Sequence, residues 1–189
     1  MLTLRSVGFV AAAAVAALWL VGPLPSRAQT PATNDAFGEE LTLNAETIVF
    51  VKGTATLDVA HDTLVTAFKQ LHAFLDSRGI KPAGSEMTIY TEFDDTGLQF
   101  QYLAGVPVAE EPKDISPGGI AVGKSPSGKA LKFVHRGSFD SIQNTYDRIT
   151  HFVVEKDYDS QDLIVERYTT DFATTADDKL VVEILILLK

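Results

Sequence analysis

Two tyrosines and one glutamate form the clearest candidate for binding chemistry in this sequence. Tyr90-Thr91 and Tyr168-Thr169 stand 78 positions apart, and Glu166 comes two residues before the second tyrosine. Alternate residues of a β-strand point to the same face of its sheet, so Glu166 and Tyr168 should share a face if they lie on a strand. Aromatic rings around a carboxylate that is partly removed from water suit a lipophilic cation.

The same alternation extends this candidate face to neighbouring strands and, in the first half of the chain, carries it from Tyr90 to Glu92. The residues proposed to bind a ligand are Glu166, Tyr168, Tyr90, Phe100, Tyr102, Phe133 and His135. A solvated sheet face is the simpler interpretation of both glutamates, because strongly perturbed carboxylates are a minority in proteins. On the residues alone, both interpretations stay open.

The spacing of 78 recurs in two predicted helices. Residues 64–79 (LVTAFKQLHAFLDSRG) align with residues 142–157 (IQNTYDRITHFVVEKD), and Phe68 then corresponds to Tyr146. The shared apolar positions fall at i, i+4, i+7, i+10 and i+11, which is one face of an amphipathic helix. The sequence therefore predicts a duplicated unit.

Strands are predicted on both sides of each helix, from alternating and β-branched residues. The predicted strands are 47–57, 87–93, 98–108, 120–125, 129–136, 163–171 and 180–188. Each unit is therefore β-α-β-β, and two units make an α+β domain of antiparallel sheets with two helices and a ligand cleft between the repeats. The helices should cover one face of the sheet and leave the other free.

The N-terminus is typical of an export signal. Arg5 is followed by an apolar run over 7–21 and by the small residues of Ser26-Arg27-Ala28, before which Gly and Pro break the run. The run is shorter than the roughly 20 residues that a transmembrane helix needs. We expect a cleaved signal peptide and a periplasmic or secreted protein without a membrane anchor.

These patterns divide the chain into segments. The predicted boundaries are a signal peptide at 1–28, a flexible leader at 29–45 and one domain at 46–189. Within the domain, repeat one covers 46–108, a linker covers 109–118 and repeat two covers 119–189. Loss of the signal removes two arginines and takes the formal charge from −9 to −11.

Composition excludes several function classes. An acidic chain with no basic run is a poor partner for nucleic acid. The absence of cysteine excludes a thiolate nucleophile, a disulfide framework and a cysteine metal site. The four histidines lack metal-ligand spacing and the acidic runs lack the EF-hand pattern. We predict no metal and no cofactor.

Short motifs of the second half resemble one known family. Residues 133–139 (FVHRGSF) are similar to its H-x-G-x-[YF] motif before the second helix, and residues 166–171 (ERYTTD) and the strand at 179–188 follow in the family's order. The family is the GyrI-like small-molecule-binding domain, also called the AraC-type effector-binding or multidrug-sensor domain. The resemblance implies two βαββ units with a pocket between them, and a buried glutamate, here Glu166, facing cationic or aromatic ligands.

Three functions follow as hypotheses. The first is an exported protein that binds a cationic or aromatic small molecule, with Glu166 as its central carboxylate and no catalytic residue. The second is a hydrolase, implied by relatives that act on small electrophiles, in which Glu166 activates water beside Tyr90 or Tyr168. The third is a protein-binding role for the acidic surface.

Overall fold

A computed structural model of the chain describes residues 36–94, 96–113, 115 and 118–189. Its strands are β1 Glu39–Leu43, β2 Thr47–Thr56, β3 Met87–Phe93, β4 Gln99–Pro107, β5 Ile120–Lys124, β6 Gly128–Arg136, β7 Ser160–Tyr168 and β8 Val181–Leu188. They form one sheet in the order β1-β6-β8-β7-β3-β4-β2-β5, in which every pairing is antiparallel. Each predicted strand overlaps an observed strand, with ends that differ by a few residues.

Two helices pack on one face of this sheet. Helix α1 covers Ala60–Ser77 and α2 covers Ile142–Glu155, and each follows a short 3-10 turn. Both join the same core cluster as the sheet residues that face them, because their apolar stripes recur with the 3.6-residue period of a helix. The predicted α+β fold of duplicated β-α-β-β units is confirmed, with a single continuous sheet. None of the helices in the described ranges is long and apolar enough to span a membrane.

The axis of the duplication passes between the two central strands. Thr88 of β3 lies directly opposite Glu166 of β7, and these two residues are 78 positions apart. Residues that correspond in the two repeats can pair with each other only at a twofold axis. The candidate carboxylate therefore lies at the junction of the repeats, where the sequence predicted a cleft.

The predicted flexible leader at 29–45 needs correction at its C-terminal end. Residues Glu39–Leu43 form β1, which pairs with β6 at one edge of the sheet. Leu41 and Leu43 alternate on one side of β1 and pack in an apolar cluster. Five residues were too few for this alternation to stand out from a polar segment. The predicted signal peptide at 1–28 lies outside the described residues.

The sheet face opposite the helices is not free, contrary to expectation. It carries a second buried cluster, to which β3, β7 and β8 contribute Ile89, Val165 and Leu185. These residues alternate along their strands with residues of the first core, such as Tyr90 and Glu166. The central strands therefore bury side chains on both faces.

A β-bulge in β3 corrects the prediction for Glu92. Tyr90 pairs with Tyr102, but the next pairs are Glu92 with Gln101 and Phe93 with Phe100. The bulge adds one residue to β3, so the alternation of faces shifts by one position. Glu92 is consequently exposed and bonded to the Gln101 amide, and Phe93 takes its place on the face of Tyr90.

Candidate functional site

A cavity of about 700 Å³ opens between the two repeats on the helix side of the sheet. Its volume lies within the usual range for small-molecule sites. Its walls come from the start of α1, from α2 and from strands β3, β4 and β7. The aromatic lining consists of Tyr90, Phe93, Phe100, Phe139 and Tyr146. The polar lining side chains, besides the tyrosine hydroxyls, are Glu166, Asp140, Gln143 and Thr150.

Glu166 lies at the base of this cavity and is 1% exposed. Its Oε2 accepts hydrogen bonds from Tyr90 Oη at 2.8 Å and Tyr168 Oη at 2.8 Å. Its Oε1 accepts one from Tyr146 Oη at 2.7 Å. A tyrosine hydroxyl carries a single proton, so Tyr168 donates to Glu166 and accepts from Thr88 Oγ1 at 2.9 Å. Strands β3 and β7 and helix α2 are thus joined at one carboxylate.

Burial raises the pKa of the Glu166 carboxyl, and this outweighs the hydrogen bonds from the three tyrosines and the more distant His135, which lower it. Burial and the nearby Glu166 charge raise the pKa of Tyr90, Tyr146 and Tyr168 well above the ordinary value. The hydroxyls therefore remain protonated donors. The groups that donate to Glu166 are all neutral, so they orient the carboxylate without cancelling its charge.

Four of the seven predicted binding residues come together here. Glu166, Tyr90 and Phe100 line the cavity, and Tyr168 supports Glu166 from the side away from it. The Phe100 ring meets the Tyr90 ring edge-on at a centroid distance of 5.1 Å. Phe93, which the sequence did not indicate, stacks on Tyr90 at 5.8 Å with an angle of 19° between the rings.

Tyr102 and Phe133 lie away from the cavity. Both are on the predicted face of the sheet, but alternation fixes the face of a residue and not its distance from Glu166. Tyr102 packs over Gly53 of the neighbouring strand β2, where no side chain intervenes. Phe133 packs against Phe37 and Phe152, with ring centroids at 4.8 and 5.6 Å.

His135 has a structural role outside the cavity. Its Nε2 lies 3.0 Å from the Ser138 carbonyl, which can only accept, so Nε2 carries the proton. Nδ1 is hydrogen-bonded to Thr145 Oγ1 at 2.8 Å. These bonds fasten β6 to the segment before α2 and to the helix itself, so His135 positions α2 at the cavity.

Tyr146 is the functional residue that sequence reasoning missed. It occupies the position of Phe68 in the repeat and was assigned to the apolar stripe of its helix. A hydroxyl within an apolar stripe needs a partner when it is buried. The sequence therefore indicated that the Tyr146 hydroxyl needs a hydrogen-bond partner, but it could not identify Glu166 as that partner.

No group of three or more histidine, aspartate or glutamate side chains is arranged to hold a metal ion in the part of the chain that the structure describes. The arrangement instead offers one buried carboxylate, three hydroxyl donors and an aromatic wall. Such a site can hold a small molecule by charge and by ring contacts.

Comparison with known families identifies the domain. The model of the GyrI-like small molecule binding domain matches residues 39–189. The match begins at the first residue of β1, in agreement with the place of that strand in the sheet. No match was found among curated protein sequences.

Solved structures of the same fold are distant in sequence. The C-terminal domain of EcmrR is 15% identical with a TM-score of 0.68, over 80% of this chain and 96% of that domain. In a DNA complex of EcmrR, this chain spans only 57% of the EcmrR chain. SAV2435 bound to tetraphenylphosphonium is 15% identical with a TM-score of 0.57, over 82% of this chain and 94% of the SAV2435 chain. A Listeria innocua hydrolase is 9% identical with a TM-score of 0.55, over 81% of this chain and 92% of the hydrolase chain.

Proposed function

The chain belongs to the GyrI-like small-molecule-binding domain family, and from that premise we propose that it binds a cationic or aromatic small molecule in the Glu166 cavity. One observation carries this proposal. Among the described residues, the groups that donate hydrogen bonds to this fully buried carboxylate are three neutral tyrosine hydroxyls, at the base of an aromatic cavity of about 700 Å³. The charge of this carboxylate is the feature that a bound cation would complement.

The electrostatics favour a cation over a neutral ligand. A buried charge without a counter-charge is unfavourable, and removal from water has already raised the pKa of Glu166. A cation beside the carboxylate would stabilise its ionised form. The faces of Tyr90, Phe93 and Phe100 add cation–π contacts, each worth about 0.5–2 kcal/mol. The neighbour SAV2435 was solved with a lipophilic cation, tetraphenylphosphonium, which supports the same class of ligand here.

The proposed place of action is the periplasm or the exterior of the cell. The support is the sequence of residues 1–28, with a basic start, a short apolar run and small residues before the expected cleavage point. Mass spectrometry of the protein recovered outside the cytoplasm tests this. A mature N-terminus at Gln29 is expected, and an intact chain found in the cytoplasm would contradict it.

The binding test is a thermal-shift titration of the full chain with tetraphenylphosphonium. At 100-fold its Kd, a ligand adds about 2.7 kcal/mol to the free energy of unfolding, which raises Tm by about 5–10 °C in a chain of this size. We expect Glu166→Gln to lose most of that shift, because the amide carries no charge. Glu92→Gln is the matched control: it removes an exposed carboxylate and should keep the full shift. Equal shifts in all three proteins would contradict the assignment.

Hydrolysis is the second candidate function, favoured by the raised pKa of Glu166. A carboxyl whose pKa is raised toward neutral pH is a better general base, and Tyr90 could donate a hydrogen bond to the substrate. In that reaction, on an epoxide, Glu166 takes a proton from water as the water oxygen bonds to a ring carbon; the ring carbon–oxygen bond breaks, and the alkoxide takes the proton from Glu166 to give the diol. Styrene oxide is a suitable probe. Diol formation by the wild type, lost in Glu166→Gln, would support hydrolysis, and unchanged epoxide would leave binding as the function.

A further inference from the structure

The duplication gives the cavity a counterpart at α1. Residues 78 positions apart correspond, and two such pairs meet at the axis between the repeats. Thr88 lies opposite Glu166 in the sheet, and the His61 and Phe139 rings contact each other at 5.6 Å. Each residue that lines the cavity therefore has a corresponding residue on the other side of the axis. We call that second region the α1 cleft, formed by His61, Phe68, His72, Glu86, Thr88 and Tyr168.

Phe172 fills the α1 cleft. Its ring lies 4.3 Å from that of Tyr168, 5.0 Å from His61 and 5.9 Å from Phe68, measured between centroids. These three residues correspond to Tyr90, Phe139 and Tyr146, all of which line the open cavity. The Phe172 ring thus occupies the place that a bound aromatic ring would take on the other side of the axis.

The segment that carries Phe172 is attached to the rest of the chain on both sides of the Phe172 ring: Thr169 and Thr170 are hydrogen-bonded to Val181, and Asp177 accepts from the Phe139 amide. The segment runs over 169–180 between β7 and β8, and Phe172 is 1% exposed whereas Asp171 and Thr174 beside it are exposed. The Asp171 carboxylate accepts hydrogen bonds from the amides of Ala173 and Thr174, which are contacts within the segment itself. The corresponding connection of the first repeat, 94–98, is shorter and leaves its cavity open. Withdrawal of the Phe172 side chain would give up its ring contacts and move the backbone amide that faces Glu86, while the hydrogen bonds of Thr169 and Asp177 on either side need not break.

The α1 cleft keeps a carboxylate of its own. Glu86 corresponds in the repeat to Ile164, which lines the open cavity. The Oε1 atom of Glu86 is hydrogen-bonded to His72 Nε2. Burial raises the pKa of Glu86, against the opposing effects of His72 and of the Phe172 backbone amide that faces the carboxyl. In the described residues, Glu86 Oε2 is buried without a hydrogen-bond partner. A buried acceptor without a partner costs free energy, which a bound donor would recover.

We propose that the α1 cleft is a second binding site for a small aromatic amine, whose ring replaces that of Phe172 and whose ammonium group binds Glu86. In the ligand-free chain Phe172 closes the site. A closed site weakens apparent affinity by the fraction of molecules in which it is open. The carboxylate of this site is Glu86 rather than Glu166, and its ligand is smaller than one that fills the open cavity, because the ligand replaces a single ring.

The test titrates 2-phenylethylamine into the full chain carrying Glu166→Gln, so that the open cavity has no charge with which to bind the amine. Adding Phe172→Ala removes the ring that competes for the site, and we expect affinity to rise about tenfold or more. Phe172→Leu, which retains an apolar anchor, should give a smaller gain and serves if the alanine variant does not fold. Calorimetry reports both the Kd and the stoichiometry.

Two further variants decide the role of the site. Glu86→Gln, added to Phe172→Ala, should weaken amine binding by about 10- to 100-fold, as expected for a hydrogen bond to a charged group. Phe133→Ala makes a cavity in a different aromatic cluster and should bind no amine. The proposal is overturned if neither Phe172 variant binds more tightly than its parent, if Glu86→Gln changes nothing, or if Phe133→Ala binds equally well. None of these outcomes bears on the proposed function of the open cavity, which is tested separately by tetraphenylphosphonium binding to the wild type.

Discussion

The open cavity and the α1 cleft are two versions of one duplicated structure. Each contains a tyrosine on a central strand, an aromatic residue on a helix and one glutamate. They differ in what occupies the space. Glu166 and the hydroxyls of Tyr90 and Tyr146 line an open volume in one, and Phe172 packs against rings in the other. One loop residue therefore fills, on one side of the axis, a space that stays open on the other.

The same comparison separates stability from binding. The α1 cleft gains free energy of folding from a buried aromatic ring, at about 25 cal/mol for each Å² of apolar surface removed from water. The open cavity forgoes that gain and leaves Phe93 45% exposed at its wall. We therefore expect similar substitutions in the two regions to have unequal effects.

Truncation of the filling ring should have the largest effect. Phe172→Ala is expected to lower the free energy of unfolding by about 3–5 kcal/mol, because it leaves a cavity among packed rings. Phe93→Ala, which truncates the partly exposed ring stacked on Tyr90 at the wall of the open cavity, should cost about 1 kcal/mol or less. Urea denaturation measures both. Similar losses at the two positions would show that the regions do not differ in packing.

Removal of the Tyr146 hydroxyl should have an intermediate effect. Tyr146→Phe deprives Glu166 Oε1 of its donor and should cost about 1–3 kcal/mol at pH 8, since a buried acceptor is left without a partner. It should also raise the pKa of Glu166 further. Tyr102→Phe is the control: Tyr102 lies outside the cavity, and its change should stay within about 0.5 kcal/mol. A loss at Tyr102 as large as that at Tyr146 would refute the carboxylate network.

The pH dependence of stability should show the smallest effect. Burial raises the pKa of Glu166 above its unfolded value of about 4.5, so protonation favours the folded state. Its contribution is present below pH 4.5 and is lost as pH rises through the folded pKa. Glu166→Gln should therefore gain stability relative to the wild type from pH 4 to pH 8. A constant difference between the two proteins over that range would contradict this.

Repetition and alternation made the fold and half of the site predictable. The spacing of 78 related the two helices and Tyr90 to Tyr168, and it placed Glu166 at the junction of the repeats. Alternation then placed Phe100 correctly on the cavity face. It failed at Glu92, because a bulge inserts one residue without a signal in the local sequence.

The remaining features depend on contacts between residues distant in sequence. Tyr146 and Phe172 have ordinary local patterns, a helix stripe and a polar loop, and only the folded chain determines what each one touches. Strand β1 was missed for a related reason. Its five residues gain their strand conformation from pairing with β6, far along the chain.

Charge selectivity at Glu166 provides the most direct test of the central claim. Calorimetry should compare the Kd of methyltriphenylphosphonium with that of triphenylphosphine oxide, a neutral compound with the same three phenyl rings, for the wild type and for Glu166→Gln. We expect the wild type to prefer the cation by about 10- to 100-fold, equivalent to about 1.4–2.8 kcal/mol, and Glu166→Gln to show no preference. An equal preference in both proteins would contradict the role of Glu166.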